Sequence, residues 1–299
     1  MYDLITLGSI SVDLYFKGDS LTIADNRFQL AYGGKYFTDY FHEGLGGGAV
    51  NVAIGAQKNG LRASLVAAIG NNDFKHFIKS ALHKNSVSDF YCRIKEHYYN
   101  ISAILLTDNG EKTIINFQNA NHNLFENKRD YEILGRTKAI FIASALEDKL
   151  KVLVECESKD ILAFVNLGKK DCKRSNEELE EIIQKTTVLF VNGHEFAELV
   201  KKPYEEVLFH KNIVDFYFPS LQNKILVVTD GKNGSFAYQS NKVFFQKAID
   251  VPKIVDTTGS GDAYTAGFIA EFFKSRNITS AMENGAIYAA KILQKIGAN

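Results

Sequence analysis

Apolar positions change their period repeatedly along this chain. The opening YDLITLGSI is a short unbroken apolar run ending in glycine, the pattern of a buried strand. Residues 11–45 differ: VDLYFKGD, NRFQLAYGG and KYFTDYFHEG are rich in Tyr and Phe, alternate in part and are punctuated by glycine. That predicts short antiparallel strands with one wet face. After GLGGG the spacing turns helical in AVNVAIGAQKNG, closed by a glycine placed to cap it. ASLVAAIG predicts a core strand, and NDFKHFIKSALHKN a helix with Asn72 or Asp73 as its N-cap. Residues 90–118 return to strand chemistry in FYCRIKEHYYN, ISAILLTDNG and EKTIINFQ, with DNG as a hairpin signal.

Beyond that point KAIFIAS, DILAFVNLG and TVLFVNGHEF recur about every 25 residues, each followed by a helix-compatible stretch, the βαβ rhythm of a parallel sheet. KILVVTDGKNGSFAYQSNKVFFQKA predicts a strand, a glycine turn and further antiparallel strands, and ITSAMENGAIYAAKILQKIG an apolar-faced helix. The expected architecture is an α/β body with a mostly parallel sheet, built from residues 1–10, 46–89 and 119–299. The two aromatic-rich β excursions, 11–45 and 90–118, are expected to pair in space as a small projecting β-sheet, a lid.

Composition narrows the function classes. At 45% hydrophobic over 299 residues the chain buries a sizeable core, and 35 basic against 35 acidic residues leave no global field for nucleic acid or an anionic membrane. Cys92, Cys156 and Cys172 are odd in number without CxxC spacing, which predicts reduced thiols and a cytoplasmic setting. No basic, apolar leader opens the sequence, and no apolar run approaches the roughly 20 residues that cross a bilayer.

Four short motifs carry candidate chemistry, each with a plainer structural reading. In DTTGSGD, Gly259, Ser260 and Gly261 precede a helix, so successive N–H groups and the helix dipole suit an anion, and Asp262 is placed to take a proton; the same letters also describe a glycine turn with an acidic cap. In GLGGGAVN, Gly46, Gly47 and Gly48 permit close ligand approach and Asn51 both donates and accepts; a flexible helix entry reads equally well. NGHE places Asn192 and Glu195 at i, i+3 at a strand end, fit either for a hydrated Mg²⁺ or for a capping box. Thr229, Gly231 and Gly234 in TDGKNG suit either a nucleotide or a hairpin turn. No GxxxxGK[ST] occurs, and the first strand ends without GxGxxG, which disfavours P-loop ATPases and dinucleotide oxidoreductases.

Taken in order, LGSISVD, GGGAVN, NGEKT…NANHNL, NGHE, TDGKNG and DTTGSGD resemble the ribokinase-like, or PfkB, carbohydrate kinase family over about residues 3–297. The resemblance implies a three-layer α/β/α core with a β lid that closes over the acceptor. It implies Asp262 as catalytic base, with Gly259, Ser260 and Gly261 as the anion hole over the transferring phosphoryl group. Asp13, Gly46, Gly47 and Asn51 match the sugar-binding positions, and Thr229, Gly231 and Gly234 the nucleotide loop. Asn192 and Glu195 match the element associated with Mg²⁺ and the phosphates. Asp256 and Thr258 match a monovalent-cation loop, which implies K⁺; members that use it complete the site from the C-terminal stretch, here IGAN.

Ribokinases and sugar-phosphate kinases of the family often carry lysine where this chain has Gly48, and many sugar-acid kinases carry an arginine where VNLGKKD stands here with Lys169 and Lys170. The expected activity is therefore ATP- and Mg²⁺-dependent phosphorylation of a primary hydroxyl of a neutral sugar or nucleoside, in a chain that dimerises through its lid. The alternatives are a non-catalytic sugar- or nucleotide-binding protein on the same fold, and a sugar-phosphate or sugar-acid kinase of the same family.

Overall fold

The computed structural model describes residues 1–18, 21, 23–25, 27–107, 112–119, 124–144, 146, 148–213 and 224–299. The strands are β1 (Leu4–Leu7), β2 (Ser11–Lys17), β3 (Ile23–Ala24), β4 (Arg27–Phe28), β5 (Tyr40–Gly46), β6 (Ala63–Val66), β7 (Ala68–Gly70) and β8 (Arg93–Lys95). They continue with β9 (Asn100–Leu106), β10 (Lys112–Gln118), β11 (Ala139–Ile142), β12 (Leu162–Asn166), β13 (Val188–Asn192), β14 (Ile225–Thr229), β15 (Ser235–Gln239) and β16 (Lys242–Gln246). Helices among the described residues are α1 (Gly48–Lys58), α2 (Lys75–Lys84), α3 (Lys149–Glu157), α4 (Asn176–Gln184), α5 (Gly193–Leu199), α6 (Ser260–Ser275) and α7 (Ile278–Ile292).

An eight-stranded sheet in the order β16-β15-β14-β13-β12-β11-β1-β6 forms the body. From β6 to β14 every pairing is parallel, and β15 and β16 add an antiparallel edge. The apolar runs are unbroken because both faces of this sheet are covered. Ile140 and Ile142 enter the core with Val152, Leu179 and Phe196 of α3, α4 and α5. Their neighbours Ala139 and Phe141 point the other way, to Val50, Ile54, Phe268 and Met282 of α1, α6 and α7. Alternation along one strand thus divides the core into two layers of helix packing, the three-layer α/β/α arrangement that the sequence resemblance implies.

A second sheet, β10-β9-β2-β5, brings both β excursions together. Its pleat sorts its residues: Asn116, Ser102, Asp13 and Gly44 lie in one cross-strand row, with Ile114, Ile104, Tyr15 and His42 in the next row of the same face. Phe16, Phe41, Ile115 and Phe117 take the opposite face, where Phe41, Ile115 and Phe117 are exposed.

Local differences from the sequence reading have physical causes. Residues 90–99 form only the three-residue β8, which pairs in parallel with β7; His97 then adopts a positive φ of 52° that ends the extended run. Helix α2 starts after Phe74, not after Asn72 or Asp73. Asn72 still accepts from the Phe74 amide at 3.0 Å, but its amide nitrogen donates to the Tyr98 carbonyl at 2.7 Å and ties the helix to the chain entering β9. The turn expected at residues 108–110 and most of the NANHNL stretch lie outside the described residues. The three cysteines are free thiols, and burial pushes those of Cys92 and Cys156 up to about 12.

Candidate active site

Helix α6 begins at a conformation that only glycine accepts readily. Its N-cap, Gly259, has φ 71° and ψ 7°, and a Cβ there would lie 2.2 Å from the Ala298 Cβ. At Gly261 a Cβ would meet nothing within 4 Å, so that glycine borders open space rather than packed protein. Asp262 follows in the first turn. It does not cap the helix, which has no side-chain cap. Instead its Oδ2 accepts from the Asn51 amide nitrogen at 2.7 Å, across from α1. Asp262 keeps some exposed surface, yet burial of its carboxyl raises its pKa, against which the Asn51 hydrogen bond pulls downward. A carboxylate that takes up a proton more readily than usual, in the first turn of a helix, has the attributes of a base.

The positions matched to sugar binding lie along β2 and the entry to α1, the helix that carries Asn51. Asp13 on β2 is 5% exposed and accepts from the Ser11 hydroxyl at 2.8 Å; burial raises its pKa, with the Asp256 charge adding to the rise. Gly46 is glycine because the Asp13 carboxylate occupies its side-chain space: a Cβ would fall 2.0 Å from Oδ2. Gly47 has φ 102°, and its Cβ would fall 2.6 Å from the Ser9 carbonyl oxygen. Gly48 starts α1 against Asp262, its Cβ position being 3.4 Å from Oδ1 of that residue.

Asn192 and Glu195 form a reciprocal capping box at the start of α5. Glu195 Oε2 accepts from the Asn192 amide at 3.0 Å and Asn192 Oδ1 from the Glu195 amide at 2.8 Å. The pair stands at the C-terminal end of the parallel sheet, where Asn192 is in register with Thr229. Glu195's pKa is raised by desolvation, with the charge of exposed Lys169 opposing. Thr229, Gly231 and Gly234 make the β14–β15 turn and also line a cavity of about 490 Å³ that reaches Ser260 and Gly261. His194 stacks on Tyr204 with ring centres 4.3 Å apart, a packing role.

Two side chains escaped sequence reasoning. Asn299 donates to Asn51 Oδ1 at 3.1 Å and to the Leu45 carbonyl at 2.8 Å, extending the Asn51–Asp262 pair into a relay. Lys112, first in β10, donates to Thr257 Oγ1 at 2.8 Å. Its letter stood in the NGEKT motif, but only the fold shows which loop it reaches.

Mg²⁺ takes one or two carboxylates, keeps several waters and completes its shell with substrate phosphates. Glu195 offers one carboxylate just past the end of β13, next to the strand whose Thr229 lines the cavity, which fits that donor set; among the described residues no cluster of three or more His, Cys, Asp or Glu side chains forms an all-protein cage. No helix among them is long and apolar enough to cross a membrane.

Comparison with known proteins agrees with the geometry. A family model described as pfkB family carbohydrate kinase matches residues 1–299. The nucleoside kinase of Methanocaldococcus jannaschii is 26% identical over 304 residues, covering 99% of this chain and 92% of that protein. The ATP-dependent 6-phosphofructokinase of Thermoanaerobacterium thermosaccharolyticum is 23% identical over 311 residues, covering 99% and 89%. Among solved structures, Arabidopsis thaliana ribokinase complexed with ribose and ATP superposes with a TM-score of 0.81 at 20% identity, covering 99% of this chain and 94% of that one.

Proposed function

The chain belongs to the pfkB family of carbohydrate kinases, phosphotransferases acting on sugars or nucleosides, and on that premise we propose that it transfers the γ-phosphoryl group of ATP to a primary hydroxyl of a neutral sugar or nucleoside. The observation that carries this reading is a single junction. The cavity lined by Thr229, Gly231 and Gly234 opens onto Ser260 and Gly261, and the Asp262 carboxylate follows in the same helical turn.

Asp262 takes the proton of the acceptor hydroxyl as its oxygen bonds to the γ-phosphorus, and the bond from that phosphorus to the β-γ bridging oxygen breaks. The N–H groups from Gly259 to Gly261 and the N-terminal dipole of α6 hold the negative charge on the transferring group. Asn51 aims the base and is itself oriented by Asn299. Glu195 and Asn192 would hold Mg²⁺, which would supply neutralisation of phosphate charge.

The acceptor's character follows from the lid row. Asn116, Ser102 and Asp13 present an amide, a hydroxyl and a carboxylate on one face, with Asn116 donating to Ser102 at 3.2 Å. Such a surface suits a hydroxyl-rich ligand. The Asp13 charge disfavours a phosphorylated or acidic acceptor, and the charge of exposed Lys169 acts on Glu195, whereas neither Lys169 nor Lys170 is among the groups that shift Asp13. The β10-β9-β2-β5 sheet, from residues 11–45 and 90–118, acts as the lid that excludes water so that hydrolysis does not compete. Its outer face, with Phe41, Ile115 and Phe117 exposed, suits a second copy of the chain.

The test is ADP release from ATP and Mg²⁺ across neutral sugars, nucleosides, sugar phosphates and sugar acids. Turnover of a neutral acceptor that Asp262→Asn reduces about 10²- to 10⁴-fold is expected. An Asp262→Asn protein that is folded and as fast as wild type would sink the mechanism; a sugar phosphate or sugar acid as the sole acceptor would overturn the substrate class.

A further inference from the structure

Asp256 lies three residues before the N-cap of α6 and is 0% exposed. A carboxylate removed from water needs hydrogen bonds at its oxygens and a counter-charge nearby. The hydrogen bonds are there. Oδ1 accepts from the Thr258 amide at 2.8 Å and the Thr258 hydroxyl at 2.6 Å, and Oδ2 accepts from the Gly297 amide at 3.0 Å. All three donors are neutral.

The counter-charge comes from the other sheet. Lys112 Nζ stands 3.9 Å from Asp256 Oδ1 while donating to Thr257 Oγ1 at 2.8 Å. Its side chain is 20% exposed, so much of the stem is withdrawn from solvent as it reaches inward. The ribokinase-like resemblance implies a monovalent cation on this same loop. The residues present do not fit one, because an ammonium group already stands within ion-pair reach of the carboxylate that would hold it. A second cation within about 4 Å of the first would be repelled at that range.

We propose that Lys112 is the resident counter-ion of Asp256, taking the place of a monovalent cation, so that this kinase works without K⁺. The same ammonium fastens the small sheet to the loop that enters the anion nest. Asp256 and Thr257 lead directly to Gly259, whose left-handed conformation sets the direction of the α6 N–H groups. Lys112 is therefore a positioning residue: it holds the loop from the lid side while the Gly297 amide holds it from the C-terminal side. The inference rests on the kinase reading for its rate measurement alone.

A shortened side chain should reopen the place to an ion. Tyr15 lies on the lid face shared with Lys112, and its buried hydroxyl has no hydrogen-bond partner among the described residues. The side-chain position of Gly297, whose amide binds Asp256, is 3.9 Å from that oxygen. An ion entering beside Asp256 and Thr258 would find the Tyr15 oxygen in the same corner.

The experiment compares wild type with Lys112→Ala, which leaves space and no charge, and Lys112→Met, which fills the space without charge. Each is measured in KCl and in choline chloride of equal ionic strength, by turnover and by thermal unfolding without substrate. Wild type should change less than about twofold between the salts, whereas Lys112→Ala should lose roughly tenfold or more of its kcat/KM in choline and regain most of it in KCl. The Tm of Lys112→Ala should rise with KCl and not with choline, since an ion bound only by the folded state stabilises it. Lys112→Met should lose activity and recover in neither salt.

Strong activation of wild type by K⁺ would overturn the proposal, as would a Lys112→Ala protein fully active in choline. Loss without any K⁺ rescue of rate or Tm would overturn it too, and would move the ammonium's role to the transferring phosphoryl group. Should no acceptor be turned over by any variant, the unfolding measurement decides this inference independently of the kinase reading.

Discussion

At the scale of single residues, the proposed base Asp262 is tuned by two opposed influences, burial and one hydrogen bond. Burial raises the Asp262 pKa, and the Asn51 amide lowers it. Turnover requires the ionised form, so the acid limb of the pH–rate profile should lie above the usual carboxylate range. Asn51→Ala removes the lowering influence, and that limb should move to still higher pH; an unmoved limb with an equal loss at every pH would reduce Asn51 to an acceptor contact.

The same shift has a stability consequence with the opposite sign. A carboxyl whose folded pKa is raised contributes stability that is present below the unfolded value and lost as pH rises through the folded one. Wild type should therefore lose stability across that window, and Asp262→Asn should be the more stable protein at its upper end. Thermal unfolding of both between pH 4 and 8 checks the prediction, as a difference in Tm that grows with pH.

At the scale of elements, the spacing of the site is set one helical turn away from it. Asn51 is on α1 and Asp262 on α6. Four residues on from each, Gly55 faces Ala266, and a Cβ at Gly55 would lie 2.5 Å from the Ala266 Cβ. Gly55→Ala should push the helices apart at a cost of about 1–3 kcal/mol. The Asn51–Asp262 hydrogen bond would lengthen with them, and activity should fall on the order of tenfold to a hundredfold. Ala266→Gly added to Gly55→Ala returns the missing space, so the double variant should recover most of the activity. Purely additive losses would show that this contact does not set the distance.

At the scale of the whole molecule, two sheets converge on the loop that enters α6. The parallel body supplies the strand ends, the cavity and the α6 nest, while the small sheet supplies Asp13 and Lys112 from its inner face. The outer face of that sheet bears Phe16 against Phe41, ring centres 5.5 Å apart, with Ile115 and Phe117 exposed along β10. A second copy seated there should make the protein a dimer by sedimentation, and Ile115→Asp with Phe117→Asp should yield a folded monomer. A wild type that is monomeric at high concentration would remove that role from the outer face.

The sequence by itself determined the class of fold, because period is a local property. Unbroken apolar runs, helical spacing and glycine turns declare parallel strands, helices and hairpins wherever they occur. It also placed Asp262, Asn51 and Asp13 as candidates, since each lies in a short motif whose glycines are needed for close backbone approach. Only the tertiary structure decided which partners those groups have. Asn51 and Asp262 are 211 positions apart, Lys112 and Thr257 are 145 apart, and Asn299 and Asn51 are 248 apart. No local pattern encodes such pairings: they exist because helix packing and sheet register bring remote segments together. NGHE forms the capping box that is its plainer reading, with the Glu195 oxygen Oε2 engaged in it, because the pair stands at i, i+3 where a strand gives way to a helix.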